Sequence, residues 1–342
     1  MPRPPMNHPA QNYGADPSGL IYGFVFDAEG AGTPTGSDEA LQWLQNPPTE
    51  PGGFVWLHFN LSHTASSKWL KDNLQLSDLF HESLTDGSRS TRVELDDDML
   101  VAVVNDVSYD FAFEPSDIST LWLSVGPRLV VSARLQPLRS IDRLRDAVRR
   151  GEKVMTPVAL LVHLMHDQGD VLINIVRNTT ARVDEIEDSL LAGRLEPKRA
   201  NLGALRRLLV RLQRLLAPEP AALFRLLRKP PEWIGEEDIG DLRQSTEEFN
   251  VALSDMAALQ ERIKLLQEEI AGRVAEANNR SLFVLTIVTV LALPINIIAG
   301  LLGMNVGGIP LAEHPHGFWW IVALIVSFTA VAAFIALRKP RD

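Results

Sequence analysis

Polar and small side chains recur at a fixed spacing inside a stretch that carries no charge. Asn279, Leu282, Thr286, Thr289, Leu293, Asn296, Gly300 and Gly303 follow one another by steps of three or four, while Ser281–Ala312 holds no Lys, Arg, Asp or Glu. On a helix that series is a single stripe. Val, Ile, Leu and Phe fill the remaining faces. A polar stripe inside a bilayer is costly unless it meets protein or water. One reading is a water-filled pore lined by this stripe from several copies. Small and hydroxyl residues also pack membrane helices together, and the stripe by itself leaves both readings open.

The elements that carry these residues follow from length. Leu282–Leu302, read as a helix, is about 21 residues and about 31 Å long, enough for a hydrocarbon core. A second apolar run, Phe318–Leu337, follows after a short link. The two make a transmembrane hairpin at the C-terminal end. Arg273 and Arg280 precede the first span and Arg338, Lys339 and Arg341 follow the second, whereas Gly303–Gly317 has no Lys or Arg. That bias places both termini in the cytoplasm and the link outside. Met1–Pro9 is proline-rich without an apolar core, so it does not read as a signal peptide.

Composition narrows the function. The chain has 342 residues, 33 Lys+Arg against 43 Asp+Glu, a formal charge of −10, and no cysteine. Only Glu313 and Asp342 among the acids follow Ser281, so the acidity belongs to the part before the spans. Such a field gathers cations and repels nucleic acid. Without cysteine there are no disulfides and no thiolate zinc sites. No Gly-x-x-x-x-Gly-Lys-Ser/Thr loop is present and no nucleophile–base pair stands out, so neither an ATP-driven pump nor an enzyme is expected.

Before the hairpin, residues 1–19 read as a flexible tail. Residues 20–150 read as an α/β domain. Its strands are Leu20–Asp27, Gly53–Asn60, Thr91–Leu95, Met99–Tyr109, Ile118–Val125 and Leu129–Ala133. Helices are expected around Glu39–Leu44, over Ser62–Leu74 and Ser77–Leu84 with serine caps, and over Pro137–Arg150. Residues 151–280 read as helical: one helix capped by Thr156-Pro157 and running to about Leu191, and another from Lys198 to Lys229 broken near Pro218 and Pro220. After an acidic turn at Gly235–Asp241, apolar residues at 242, 249, 253, 256, 259, 263, 266, 270 and 274 mark a stalk. It runs without interruption into the first span, as one helix of about 60 residues and about 90 Å.

Gly303-Met304-Asn305, followed by Val306-Gly307-Gly308-Ile309-Pro310 at the end of the penultimate of two C-terminal spans, resembles the signature loop of CorA-type divalent-cation transporters. The Gly-Gly-Ile-Pro continuation looks most like the zinc-transporting ZntB branch. Pro294 within the first span agrees, as do Trp56-Leu57-His58 and Val131-Ser132-Ala133-Arg134 upstream, so the resemblance covers nearly the whole chain.

The resemblance implies an α+β cytoplasmic domain, a long helical stalk and two transmembrane helices (281–342, outward loop 303–317), assembled as a funnel-shaped homopentamer in a bacterial inner membrane. It makes Gly303, Met304 and Asn305 the selectivity loop. Asn279, Leu282, Thr286, Thr289, Leu293, Asn296 and Gly300 become pore-lining, with the two leucines as constrictions. Many relatives have threonine at the place of Asn296. Rings of amide and carbonyl dipoles at the mouth would hold a cation with part of its water shell intact.

In the outward link, Glu313, His314 and His316 either concentrate the ion or form an ordinary solvated loop, and imidazole suits zinc better than magnesium. Three patterns read as structural. His163, His166, Asp167 and Asp170 have ligand-like spacing but sit on a helix where such residues usually pack. Glu94, Asp96, Asp97 and Asp98 read as a solvated strand end. Arg206, Arg207, Arg211 and Arg214 read as partners of acidic helices. The expected activity is therefore uptake of Zn2+, with Mg2+, Co2+, Ni2+ or Cd2+ as other candidate cargo, without a bound cofactor and with proton coupling as the zinc branch suggests. A magnesium or cobalt transporter, or a membrane-anchored sensor or scaffold, is the alternative.

Overall fold

The computed structural model describes residues 15–48, 52–85, 91–107, 118–192, 199–304 and 314–338, and the chain divides into two compact units, Met1–Leu266 and Gln267–Asp342. The first unit is built on a seven-stranded sheet with the order β2-β1-β3-β7-β6-β5-β4. Its strands are β1 (Leu20–Phe26), β2 (Gly32–Thr35), β3 (Phe54–Asn60), β4 (Arg92–Asp96), β5 (Met99–Val107), β6 (Ile118–Val125) and β7 (Leu129–Arg134). Every neighbouring pair is antiparallel except β3 with β7, which is parallel.

Both faces of the sheet are covered, which is why β3, β6 and β7 read as nearly continuous apolar runs. One face packs Phe24, Trp56, Leu100, Leu121 and Val130 beneath α4 (Arg139–Arg149), α5 (Pro157–Leu191) and α7 (Pro218–Leu226). The other packs Val55, Leu57, Val101, Trp122 and Val131 beneath α1 (Ser37–Gln45), α2 (Ser66–Asn73) and α3 (Asp78–Thr85). At about 25 cal/mol per Å2, burying Trp56 and the four phenylalanines Phe24, Phe26, Phe54 and Phe59 alone contributes roughly 20–30 kcal/mol before entropy is counted.

Helix ends show how local chemistry set the boundaries. Thr156 caps α5 as expected, its Oγ accepting from the Ala159 N–H at 2.9 Å and its hydroxyl donating to Asp238 Oδ1 at 2.7 Å. Ser77 caps α3 by accepting from the Phe80 N–H at 3.3 Å. Ser62 caps nothing: α2 begins after Ala65, and the Ser62 hydroxyl donates to the Leu135 carbonyl. The break near Pro218 separates α6 (Arg199–Leu216) from α7, with Ala217 between them.

The acidic stretch expected to separate the stalk from what precedes it is instead the start of the stalk. α8 spans Glu236–Leu302, 67 residues, with Glu236, Glu237 and Asp238 in its first turn. Three carboxylates there meet the positive end of the helix dipole. Within the first unit α8 buries Leu242, Phe249, Leu253, Met256, Leu259, Ile263 and Leu266, the predicted apolar series.

The second unit holds the end of α8 and the helix α9 (Gly317–Arg338). Among the described residues one helix, α8, is long and apolar enough to cross a membrane, and a shorter apolar stretch is Gly317–Val331.

Candidate functional site

Pro294 lies inside α8 without ending it. Having no N–H, it leaves the Val290 carbonyl without its usual helical donor. Along this part of α8, Asn279, Leu282, Thr286, Thr289, Leu293, Asn296, Gly300 and Gly303 are all exposed. Ile287, Leu291, Ile295, Ile298 and Leu302 are half-buried instead. At 3.6 residues per turn the centres of the two sets lie about 180° apart. Among the described residues of α9 the half-buried positions are Ile321, Val322, Ile325 and Thr329, also one face.

The threonines have a fixed polarity. Thr286 Oγ1 donates to the Leu282 carbonyl at 2.8 Å and Thr289 Oγ1 to the Leu285 carbonyl at 2.9 Å. With their protons committed to the helix, both hydroxyls present only lone pairs outward. The stripe therefore offers acceptors, which is what a cation or its water shell needs.

At the end of α8 the Gly303 N–H still donates to the Ala299 carbonyl at 2.9 Å, and a Cβ at Gly303 would stand 3.1 Å from that oxygen. Glycine thus fits where a side chain would crowd the last turn. Met304 is exposed. Asn305 and Glu313 lie outside the described residues.

His314 and His316 are exposed just before α9, with ring centroids 6.2 Å apart and planes nearly perpendicular. The His316 N–H donates to His314 Nδ1 at 3.2 Å. That bond uses the Nδ1 lone pair, so the neutral His314 ring carries its proton on Nε2 and points a donor outward.

Among the described residues no group of three or more His, Cys, Asp or Glu side chains is placed to hold a metal. The helical histidines have other partners. His163 Nε2 is 2.8 Å from Glu152 Oε1, and its Nδ1 is 3.2 Å from Asp167 Oδ2, an ion pair with poor hydrogen-bond angles. Asp167 first, then Glu152, push the His163 imidazolium up to about 9. His166 Nδ1 is 3.5 Å from Glu248 Oε2, tying α5 to α8. The acid run Glu94–Asp98 ends strand β4 and turns into β5 at Asp97 and Asp98, whose φ are 47° and 60°. Aspartate tolerates that left-handed geometry, so the run has a structural explanation. Among the described residues, Arg262 of α8 pairs with Asp184 and Glu187 of α5.

The two upstream stretches that resemble the family are partners in space. β3 and β7 run in parallel register with His58 opposite Ser132, and the Ser132 hydroxyl accepts from Trp56 Nε1 at 2.8 Å and meets His58 Nδ1 at 2.7 Å. Their shared motif is a buried polar clamp at the centre of the sheet. Sequence pattern did not single out two other buried groups, Asp106 on β5 and Glu219 on α7.

Comparison with known proteins extends these observations to the whole chain. The family described as CorA-like Mg2+ transporter protein matches residues 51–339. A relative from Pseudomonas aeruginosa named Divalent cation transporter CmaX is 30% identical over 328 residues, covering 95% of this chain and 97% of that one. The solved structure of full-length CmaX superposes with a TM-score of 0.81 at 29% identity, over 95% of this chain and 99% of that chain. A protein from Pectobacterium carotovorum named Zinc transport protein ZntB is 23% identical over 322 residues, 94% of this chain and 96% of that one. The higher identity to a transporter named for divalent cations at large than to one named for zinc leaves the cargo open. On the extent of these matches, the chain belongs to the CorA superfamily of divalent cation transporters.

Proposed function

We propose that the chain is a zinc transporter of the inner membrane, conducting partly hydrated ions through a pore that five copies of the α8 stripe enclose. The observation that carries this reading is that the polar stripe lies on the side of α8 opposite its half-buried face. A face of acceptors cannot stay against lipid without cost, so it meets water and its own copies. Gly303, Met304 and Asn305 form the selectivity loop, and Asn279 through Gly300 line the path. Leu282 and Leu293 are constrictions able to gate by dewetting.

Zinc is favoured by the outer link, whose imidazoles His314 and His316 stand beside a single carboxylate, Glu313. α8 and α9 cross the membrane with both termini in the cytoplasm, as the placement of Arg273, Arg280 and Arg338 supports. An inside-negative potential favours divalent entry by about 4.6 kcal/mol per 100 mV, so no ATP is required. A magnesium cargo is the second reading, favoured by the description of the matching family.

Liposomes containing only this chain test the proposal. Zinc uptake at least several-fold above magnesium uptake is the expected outcome. Preferential magnesium uptake would reassign the cargo within the same pore, and no metal uptake at all would leave a membrane-anchored sensor or scaffold.

A further inference from the structure

Glu219 lies in the first turn of α7 and is 1% exposed, with neither carboxyl oxygen meeting a hydrogen-bond donor. It lines a cavity of about 10 Å3 together with Val93, Ala102, Leu164, Met165 and Gln168. Gln168 on α5 is 5% exposed; its Nε2 donates to the Asn105 carbonyl at 3.2 Å. That bond fixes the amide orientation, because a carbonyl can accept only from the nitrogen end. Gln168 Oε1 is buried and, like the Glu219 oxygens, meets no donor. Three acceptor oxygens therefore share one apolar cavity with nothing to donate to them. Buried acceptors without donors are rare in folded proteins, and the missing donor has to be supplied.

We infer that Glu219 and Gln168 form a proton-binding site that latches α7 onto α5 and the sheet. As a carboxylic acid, Glu219 donates its O–H to Gln168 Oε1, directly or through one water, for which the cavity has room. A hard divalent cation would want six or more oxygens, and Val, Ala, Leu and Met supply none. The surrounding charges agree with a bound proton. From β5, Asp106 faces this region and repels a second carboxylate. Asp167 of α5 is engaged by His163, which Glu152 also holds. On β4, Val93 faces the cavity while Arg92, its neighbour in sequence, points to the other side of the sheet. Arg225 of α7 is exposed, and Arg211 and Arg214 lie on α6. The α7 N-terminus favours a carboxylate weakly, whereas complete burial favours the acid strongly. Burial first, then Asp106, push Glu219 up to about 8.

Loss of this proton leaves a charge in an apolar cavity, which α7 relieves by lifting away from β4 and α5. The consequence reaches further along the chain, because α7 leads through Trp233, whose Nε1 donates to the Asp98 carbonyl, to the first turn of α8. The site thus makes the segment between α6 and α8 sensitive to alkaline pH.

The full chain in detergent, followed by infrared spectroscopy and amide exchange, tests this. Wild type should show a protonated-acid C=O band at pH 7 that disappears with a midpoint near 8, distinct from Asp106, which titrates at about 6. Exchange across 218–226, corrected for its intrinsic pH dependence, should speed at least tenfold between pH 7 and 9. Glu219→Gln, whose amide cannot ionise, should lose the band and keep α7 protected at pH 9. A wild-type spectrum with no acid band lost between pH 7 and 9 overturns the site, even if the variant does not fold. Equal wild-type α7 exchange at both pH values, or the same acceleration in Glu219→Gln, overturns the latch.

Discussion

At the scale of single residues, the ion's first encounter and the chain's response to pH rest on different chemistry. Asn305 is proposed to act through a neutral amide that orders water around an approaching cation. Asn305→Ala should therefore give folded oligomers with nearly abolished zinc uptake, measured in liposomes. His314→Ala combined with His316→Ala should preserve transport but weaken apparent zinc affinity, since only imidazole capture is lost. A dead histidine double variant beside a normally transporting Asn305→Ala would mean direct imidazole ligation instead. Away from the spans, His163 is raised to about 9 by Asp167 and Glu152. A raised folded-state value stabilises most below the unfolded value near 6.5 and is lost as pH rises through 9. Chemical denaturation of wild type should thus show stability falling between pH 6.5 and 9, and His163→Gln should flatten part of that fall. Ligand-like spacing in the sequence could not reveal the role of His163, because Glu152, one of its two partners, precedes α5. Asp106 was equally hidden. It sits in an apolar strand and accepts from the Ser140 N–H and hydroxyl, both at 2.9 Å, holding the start of α4 from another element.

At the scale of elements, periodicity was informative wherever burial was one-sided or complete. β6 coincides with the expected run and β1, β3 and β7 differ from theirs by a residue, because their apolar side chains have a sheet face or a helix to bury against. The strand β2, Gly-Thr-Pro-Thr, gave no signal: it is short, exposed and at the sheet edge, where Pro34 is tolerated. Acidic residues at 236–238 read as a turn because polar clusters resemble loops; their place at a helix start depends on the dipole. Thr156 joins two elements, capping α5 and bonding Asp238 of α8. Thr156→Ala should lower unfolding free energy by about 1–2 kcal/mol, read from denaturant midpoints. The stripe makes a sharper claim. Leu293 and Val290 are 56% and 57% exposed in the single chain, so exposure does not distinguish them. Leu293→Ala should raise basal ion flux by widening a constriction, whereas Val290→Ala should change flux little. Equal effects would place the pore on another face of α8.

At the scale of the whole molecule, the question is what covers the surfaces one chain leaves open. Sequence patterning could mark the apolar and polar faces of α8, but which face meets another copy depends on contacts that a single chain does not contain. In the second unit one such surface is the acceptor stripe, beside exposed apolar residues such as Phe283, Phe318 and Trp319. In the first unit one lies on the same helix, where Val251 and Leu265 are 61% and 56% exposed with Ala258 exposed between them. The spacing of seven from 251 to 258 to 265 keeps these residues on one seam. They lie apart from Leu242, Phe249, Met256 and Ile263, which the chain buries itself. Two valine- or leucine-sized side chains left in water forfeit about 1.5–3 kcal/mol each, which association recovers. The full chain in detergent should accordingly run as a pentamer by mass measurement. Val251→Asp with Leu265→Asp should shift that mass toward smaller species, because a charge buried in a copy-to-copy seam finds no partner. The circular dichroism of the first unit's helices should change little, since neither side chain belongs to its core. A stable monomer for the wild type would remove the basis for a shared pore, however well the stripe is drawn in one chain.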